Sequence, residues 1–183
     1  SVRYSDNSIQ TLQFDDGACY VGSLDENGKL FGHGVYKFPD GTVYDGLWEK
    51  GMRNGAGTKT WKDGVKYVGN WKDGLRHGTG SMTWPDGSCY KGRWKNDNII
   101  AGDYYYSDGD HYSGDFNSGW EREGSGIYYW KDGSHYIGFW KKNLRNGKGQ
   151  YFDKNGKLVN DGEWINDKFV DNASQNRVPI PDS

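Results

Sequence analysis

Large side chains recur at every second position over short stretches of this chain, and the stretches return at regular intervals. Tyr44, Gly46 and Trp48 are spaced by two, and Gly55 and Gly57 continue the same spacing in the next stretch. A period of two is typical of a β-strand, because successive side chains of a strand point to opposite faces. Tyr, Trp, Thr and Val favour strands, and frequent glycines oppose long helices. The pattern therefore predicts a series of short strands.

The strand pattern is part of a tandem repeat with a period of about 23 residues. Each copy opens with Tyr-x-Gly-x-(Trp/Leu/Phe), continues with Gly-x-Gly and ends with Asp-Gly. The opening positions are Tyr20, Tyr44, Tyr67, Tyr90, Tyr112 and Tyr136, with Asn160 in a seventh copy. We predict a half repeat at 9–19 and then repeats that start near residues 20, 44, 67, 90, 112, 136 and 160, all in one array over 1–170. Residues 171–183 lack the repeat and contain two prolines, so an irregular tail is expected.

The Asp-Gly pair predicts the register of each hairpin. In Phe38–Gly41 the proline suits the second position of a type I turn, and the glycine suits the left-handed position that follows. This is the three-residue hairpin loop with a bulge. In the next copy such a loop pairs Gly57 with Gly69 and Gly55 with Trp71, which places all rings and glycines on one face. A two-residue loop would scatter the rings over both faces.

The predicted fold is all-β: an elongated, twisted antiparallel meander of about seven tandem hairpins, in which one sheet forms a rod. Each large ring lies over bare glycine backbone, and rows of glycine let the sheet curve around a groove lined by aromatic residues and glycine. The residues expected to hold this sheet together are Tyr44, Gly46, Trp48, Gly55, Gly57, Tyr67, Gly69, Trp71, Tyr90, Gly92, Trp94, Tyr136, Gly138 and Trp140.

The low hydrophobic content of the chain would by itself suggest a disordered protein rather than a folded sheet. Hydrophobic residues make up only 33% of the 183 residues and the mean hydropathy is -1.01, but aromatic residues reach 16%. Disordered chains are poor in aromatic residues, so a sheet covered by rings is favoured. The net charge of -2 provides no basic field for nucleic acid. No apolar run or signal peptide is visible, and a cytoplasmic location is expected, in association with the cytoskeleton or a membrane.

The residue types that usually carry chemistry have no catalytic or metal-binding arrangement here. Cys19 and Cys89 occupy equivalent positions three repeats apart, on the order of 29 Å by strand spacing, which predicts two free thiols rather than a disulfide. The four histidines lack the spacing of metal ligands, and the aspartates serve turns. No glycine-rich loop precedes a helix to hold phosphate. We therefore predict no catalytic residue, no metal and no cofactor.

Taken together, Tyr-x-Gly-x-Trp, Gly-x-Gly and Asp-Gly at this period resemble the MORN repeat (membrane occupation and recognition nexus). The resemblance covers about residues 9–170. It implies an elongated antiparallel meander and a scaffold function: such arrays dock partner peptides, help to build cytoskeletal and ciliary structures, and sometimes dimerise. Others precede catalytic domains such as phosphoinositide kinases or SET-domain methyltransferases, and no such segment follows Val170 here.

Candidate binding positions are those that vary between copies while they face the same groove. Two positions after the second glycine the copies have Tyr, Lys or Met, and the next same-face position has Phe, Tyr or Trp. The fourth copy has Ile100 in place of the first glycine, and a longer loop in the fifth carries Trp120. Ile100 and Trp120 could also serve local packing rather than binding. The predicted partner-binding groove comprises Met82, Ile100, Tyr104, Tyr106, Trp120, Tyr128 and Trp130.

Basic residues collect in the loops after the first strand of each copy, opposite the Asp-Gly turns. This predicts one relatively basic edge, formed by Lys50, Arg53, Lys72, Arg76, Lys141 and Arg145. An ordinary solvated surface would have the same appearance, whereas the functional alternative is docking to acidic lipid headgroups.

Three functions follow from these observations. The first is a non-catalytic scaffold that binds a partner peptide or an amphipathic helix, or assembles cytoskeletal structures. The second is a module that binds phosphoinositides or acidic phospholipid. The third is a regulatory region of a larger enzyme. Open strand edges also make a homodimer possible.

Overall fold

The structure is a computed structural model that describes residues 8–171. The predicted tail lies outside the described residues, apart from Asp171. The described residues form fifteen β-strands and no helix, so none of them forms a helix that could cross a membrane. They belong to two compact units, residues 8–109 and residues 110–171. All strand pairs within each unit are antiparallel, and each strand pairs with the next along the chain, so both units are β-meanders as predicted.

The first unit contains nine strands. They are β1 Gln10–Gln13, β2 Cys19–Leu24, β3 Leu30–Lys37, β4 Val43–Glu49, β5 Met52–Thr60, β6 Lys66–Lys72, β7 Leu75–Thr83, β8 Cys89–Lys95 and β9 Asn98–Tyr105. The first short strand, β1, belongs to the half repeat and pairs with β2.

The second unit contains six strands. They are β10 His111–Phe116, β11 Arg122–Tyr129, β12 His135–Lys141, β13 Leu144–Phe152, β14 Leu158–Ile165 and the two-residue β15 Lys168–Phe169. One repeat therefore corresponds to two strands in both units.

The Asp-Gly loops have the predicted geometry. In the β5–β6 hairpin the Trp61 N–H donates to the carbonyl of Val65 (2.8 Å), and the Gly64 N–H donates to the carbonyl of Trp61 (3.0 Å). Gly64 has a φ of 93°, in the left-handed region that favours glycine. The loop places Gly57 opposite Gly69. The predicted register is therefore confirmed, and with it the placement of all motif rings on one face.

On that face, which we call the ring-bearing face, the rings lie directly over glycine backbone. Tyr44 is fully buried, and its hydroxyl crosses Gly46 to donate to the carbonyl of Leu47 (2.8 Å). A Cβ atom on Gly46 or Gly57 would collide with this ring. The Trp48 indole N–H donates to the Gly34 carbonyl on the neighbouring strand β3 (3.0 Å). Bare backbone is thus required where each ring lies, and the rings also bond to the backbone of neighbouring strands.

The core is one-sided. Tyr44 packs edge-on against two tryptophans, with ring centroids 4.9 Å from Trp48 and 5.4 Å from Trp71. The opposite face, which we call the ring-free face, leaves even aliphatic side chains in solvent: Val21 is 39% and Val68 is 49% exposed. Stability in each unit therefore comes from aromatic burial on one side of a single sheet.

Candidate functional site

In the first unit the sheet bends toward its ring-bearing face. Arg76, at the start of β7, has its guanidinium carbon 4.7 Å from the ring centroid of Trp94. The same carbon lies 5.9 Å from the ring of Trp61, which follows the far end of β5. A flat strand extends about 3.3 Å per residue and would keep these positions far apart. The bend thus creates a trough with the rings inside.

The rings of the ring-bearing face form two layers in each unit. The deep layer consists of repeat tyrosines that are 0% exposed: Tyr20, Tyr44, Tyr67 and Tyr90 in the first unit, and Tyr112 and Tyr136 in the second. The upper layer consists of half-buried side chains near the Asp-Gly turns. We call it the upper tier, and it comprises Tyr36, Phe38, Lys59, Trp61, Trp84, Tyr104 and Tyr106 in the first unit, and Tyr128, Trp130 and Tyr151 in the second.

Upper-tier rings contact one another. Ring centroids are 4.6 Å apart for Tyr36 and Phe38, and 4.5 Å apart for Tyr104 and Tyr106. In the second unit Tyr128 lies 4.9 Å from Trp130. The upper tier therefore presents partly exposed aromatic surface above a closed core.

The predicted groove residues differ in accessibility. Met82 lies on the ring-bearing face but is only 4% exposed. The Tyr128 hydroxyl donates to the carboxylate of Asp110 (2.6 Å), which fixes the orientation of that ring. Trp120 is half-buried in the β10–β11 loop with a left-handed φ of 63°. Tyr104, Tyr106 and Trp130 are upper-tier positions, and the structure brings Tyr104 into contact with Tyr106 and Tyr128 into contact with Trp130.

In the fourth copy the more deeply buried isoleucine is Ile99, the neighbour of the predicted groove residue Ile100. Ile99 pairs with Trp94 and is 3% exposed, whereas Ile100 is half-buried. The cause is a register irregularity between Arg93 and Trp94, which inserts one residue before the ladder resumes. Ile99 thus supplies the packing next to Trp94, where other copies have an arginine.

The predicted basic edge divides into two sets of residues. Lys50, Lys72 and Lys141 are exposed. The arginines instead turn inward and lie over tryptophan rings: Arg53 is 4.7 Å from Trp71, and Arg145 is 4.5 Å from Trp164. Arg122 lies 4.8 Å from Trp140 in the same manner. Cation–π stacking of this kind stabilises a partly desolvated guanidinium.

Each of these arginines also reaches the two-residue turn of the next repeat. The Arg76 Nε donates to the carboxylate of Asp97 (2.5 Å), and the Arg145 Nε donates to the carboxylate of Asp167 (2.6 Å). Burial alone would raise the pKa of Asp97 and Asp167, but the hydrogen bonds and charge of the arginines outweigh it and hold both pKa values below the ordinary range. We call this arrangement the arginine clamp.

Arg53 forms the clamp without a carboxylate. Its Nη2 donates to the carbonyl of Gly74 (2.9 Å), and Gly74 occupies the position that Asp97 and Asp167 hold in their repeats. Its Nη1 is buried without a hydrogen-bond partner. Burial lowers the pKa of Arg53, and the nearby charge of Arg76 adds to that effect. The described residues therefore leave this cation unpaired.

Lys59 was not singled out by the sequence analysis, although it is the one charged residue in a column of tyrosines and a methionine. Its Nζ lies 4.9 Å from the ring of Trp61 and 5.6 Å from the ring of Phe38. Burial, together with the charges of Arg53 and Arg76, lowers the pKa of Lys59 to about 8. The sequence signal that could have identified Lys59 is that the equivalent position of every other copy holds a tyrosine or a methionine.

The sequence analysis also missed a groove on the ring-free face. It has a volume of about 650 Å³ and crosses strands β3 to β8 of the first unit. Its floor is the backbone of the glycine rows, and its walls include His33, Asp45, Ala56, Asn70 and Lys91. The His33 imidazole and the Asp45 carboxylate are in contact at 2.6 Å. No group of three or more His, Cys, Asp or Glu side chains among residues 8–171 is arranged to hold a metal ion.

Fold and site together define a tandem β-hairpin repeat protein with a one-sided aromatic core. The model of the MORN repeat matches residues 20–43, 44–66, 67–89, 112–135 and 136–157, more than half of the chain. The chain therefore belongs to the MORN repeat family, as the sequence predicted. The unmatched segment after residue 89 contains the irregular fourth copy.

Solved structures share the fold at low sequence identity, and curated proteins give no sequence match. The TCP domain of Drosophila melanogaster SAS-4 (dCPAP), solved in complex with a proline-rich motif of Ana2 (dSTIL), is 11% identical, with a TM-score of 0.53 over 86% of each chain. The TCP10c domain of Drosophila melanogaster Sas-4 is also 11% identical, with a TM-score of 0.48 over 86% of this chain and 94% of that one. At such identities the first likeness shows the fold alone.

Proposed function

We propose that this chain is a non-catalytic scaffold that docks a partner peptide, extended or as an amphipathic helix, on the upper tier of its ring-bearing face. The observation that carries the proposal is the contrast between the two layers of rings. The deep tyrosines are fully buried and hold the sheet, whereas the upper-tier rings remain half exposed. Rigid aromatic side chains with a free face are the residues that dominate protein interfaces.

A peptide suits this surface better than a small molecule. The same two upper-tier positions recur in each repeat of the first unit, and their side chains are paired rings in the first copy, Tyr36 with Phe38, and in the fourth, Tyr104 with Tyr106. The upper tier therefore offers a row of contacts rather than one pocket. Extended or proline-rich segments dock on rows of aromatic side chains. The complex of the Drosophila TCP domain with a proline-rich motif supports this choice, because a domain of the same fold binds a peptide.

The same proposal includes a role in assembling cytoskeletal structures in the cytoplasm, in which one array would hold partner segments in place. Docking to acidic lipid is less favoured, because three arginines of the predicted basic edge, Arg53, Arg76 and Arg145, are stacked on rings rather than presented to solvent. A regulatory role in a larger enzyme and a homodimer stay predictions of the sequence.

The test is a selection of binders from a display library of random peptides on the full chain, followed by affinity measurements on variants. Tyr36→Ala and Tyr104→Ala remove upper-tier rings and should weaken the selected peptides about tenfold or more each. The matched control is Ala56→Trp, which fills the ring-free groove and leaves the rings unchanged.

Two results would overturn the proposal. One is that no peptide is selected. The other is that Ala56→Trp abolishes binding while both tyrosine variants bind normally and remain folded by circular dichroism, which would transfer the docking site to the ring-free groove.

A further inference from the structure

The trough of the first unit holds more positive than negative charge. Arg53, Lys59 and Arg76 all lie on its ring-bearing face within mutual electrostatic influence. Asp97 is the carboxylate bound to one of them, and its partner is Arg76. Lys59 and Arg53 have no ion pair within residues 8–171. A desolvated cation without a counter-ion is costly, and proteins usually pair it.

The position of the missing counter-ion can be located by comparison between repeats. Gly74 has a φ of 84°, close to the 73° of Asp97 and the 74° of Asp167, so the three turns have the same local backbone conformation. Nothing lies within 4 Å of a Cβ atom built on Gly74. The place that a carboxylate fills beside Arg76 and Arg145 is therefore open beside Arg53.

The rings around Lys59 make the same region suitable for an amphipathic side chain. Phe38 and Trp61 flank its Nζ, and both rings are half-buried. A glutamate or aspartate that enters here would lay its methylene groups against a ring and bring its carboxylate to the cations. The lowered pKa of Lys59 is consistent with a charge that lacks a partner, and a carboxylate would raise that pKa again.

We infer that the trough at Arg53 and Lys59 binds the side-chain carboxylate of an aspartate or glutamate in the partner peptide, in the role that Asp97 and Asp167 have at their own arginines. This inference rests on the proposed function and specifies the chemistry of its ligand. Charge complementarity selects an acid. A peptide side chain is favoured over a lipid headgroup, because the cations lie among rings on the inside of a bend rather than on an exposed edge.

The decisive variants come from the chain itself. Gly74→Asp supplies the carboxylate found at equivalent positions, and Gly74→Asn is its uncharged counterpart of the same shape. Asparagine occurs naturally at the equivalent position 143, where its side-chain oxygen accepts from the backbone N–H of Arg122 (2.9 Å). Lys59→Met introduces the residue that stands at the equivalent position 82, and Lys62→Met removes an exposed lysine from the same hairpin.

The probe is the display library of random peptides, selected on each variant of the full chain. Peptides selected on wild type should share an aspartate or glutamate at one position, and replacing that acid by its amide should weaken binding about tenfold. The acid preference should persist in Lys62→Met, weaken in Gly74→Asn, where an uncharged side chain fills the same place, and disappear in Gly74→Asp and Lys59→Met. As a readout without a peptide, N-acetyl-glutamate amide should shift the NMR signals of Lys59 in wild type and not in Gly74→Asp.

The outcomes separate the two proposals. Peptides that bind the upper tier without any acid preference would overturn this inference and leave the proposed function intact. An acid preference that survives in both Gly74→Asp and Lys59→Met would overturn it as well, since the carboxylate would then be held elsewhere. Vesicles of phosphatidylcholine with phosphatidylserine that bind wild type and not Lys59→Met would reassign the site to lipid. If no peptide is selected, the proposed function fails, and an unchanged Lys59 signal with the small carboxylate then overturns the inference too.

Discussion

Arg53 in the first unit and Arg145 in the second occupy the same place in the repeat, but only one of them has a counter-ion. Both lie over a tryptophan, at 4.7 Å from Trp71 and 4.5 Å from Trp164. Arg145 binds the carboxylate of Asp167, whereas Arg53 reaches only the carbonyl of Gly74. Both repeats thus keep the ring that stacks on the arginine, but only the second supplies a counter-ion. The ring serves stability in both, whereas the missing counter-ion of Arg53 leaves a place for a ligand.

This difference has a physical consequence for each unit. Where the chain supplies the carboxylate, the clamp connects successive hairpins and contributes to folding. Where it does not, the cation destabilises the free protein and gains most from an external anion. Sites that are not optimised for stability are a common property of binding surfaces.

The largest expected effect is the loss of the ring below each arginine. Trp71→Ala should destabilise the protein by about 3–5 kcal/mol, because a buried tryptophan leaves a cavity and Arg53 loses its stacking partner. Trp164→Ala should cost about 1 kcal/mol less, because Arg145 keeps its ion pair with Asp167. Urea unfolding measures both free energies. Trp71→Phe retains a ring and should lose less than half as much, and an equal or larger loss in Trp164→Ala would contradict the comparison.

The next effect is the removal of the counter-ion in the second unit. Asp167→Ala should destabilise the protein by about 1 kcal/mol at neutral pH, a value reduced for the partial exposure of the pair. The folded-state pKa of Asp167 is below its unfolded value, so this stability is present above a pH of about 4 and is lost as the pH falls through the folded pKa.

Unfolding of Asp167→Ala and wild type should therefore converge in acid. The exposed Asp161, on the neighbouring strand β14, provides the control, since Asp161→Ala should change the stability little at any pH. A difference between Asp167→Ala and wild type that persists unchanged at acidic pH would assign the effect to packing instead of the ion pair.

The fold was predictable because its determinants are local. The spacing of Tyr44, Gly46 and Trp48 fixes which face carries the rings, and the Asp-Gly loop fixes the register, so the pairing of Gly57 with Gly69 followed from a few neighbouring residues. Such information lies within one hairpin and repeats at every copy.

The site was predictable only in part, because its determinants cross between hairpins and depend on the bend. A loop position suggested that Arg53 points to solvent with Lys50, but the bend brings the guanidinium over Trp71 of the next repeat. The burial of Ile99 beside Trp94 depends on a register irregularity in the ladder, which periodicity alone does not locate. The ring-free groove has the backbone of the glycine rows as its floor, so few side chains mark it in the sequence.

The last expected effect is of similar size and opposite sign: substitution of Lys59 should stabilise the protein. Lys59→Met should gain about 1 kcal/mol at pH 7, a value reduced because Lys59 is only half-buried. The groups that influence its charge are Arg53, Arg76, Asp97 and Asp40. Because its folded pKa of about 8 lies below the ordinary 10.5, the folded state bears the cost of the charge fully below pH 8.

Between pH 8 and pH 10.5 the Lys59 ammonium group loses its proton in the folded protein before it does so in the unfolded chain. Wild type therefore gains stability as the pH rises through this range. The advantage of Lys59→Met should therefore shrink from pH 8 toward pH 10, as followed by urea unfolding, while the exposed Lys62→Met remains neutral throughout. A Lys59→Met variant that is less stable than wild type at pH 7, or an advantage that grows with pH, would show that Lys59 already has a counter-ion and that the lack of one at Arg53 does not extend to Lys59.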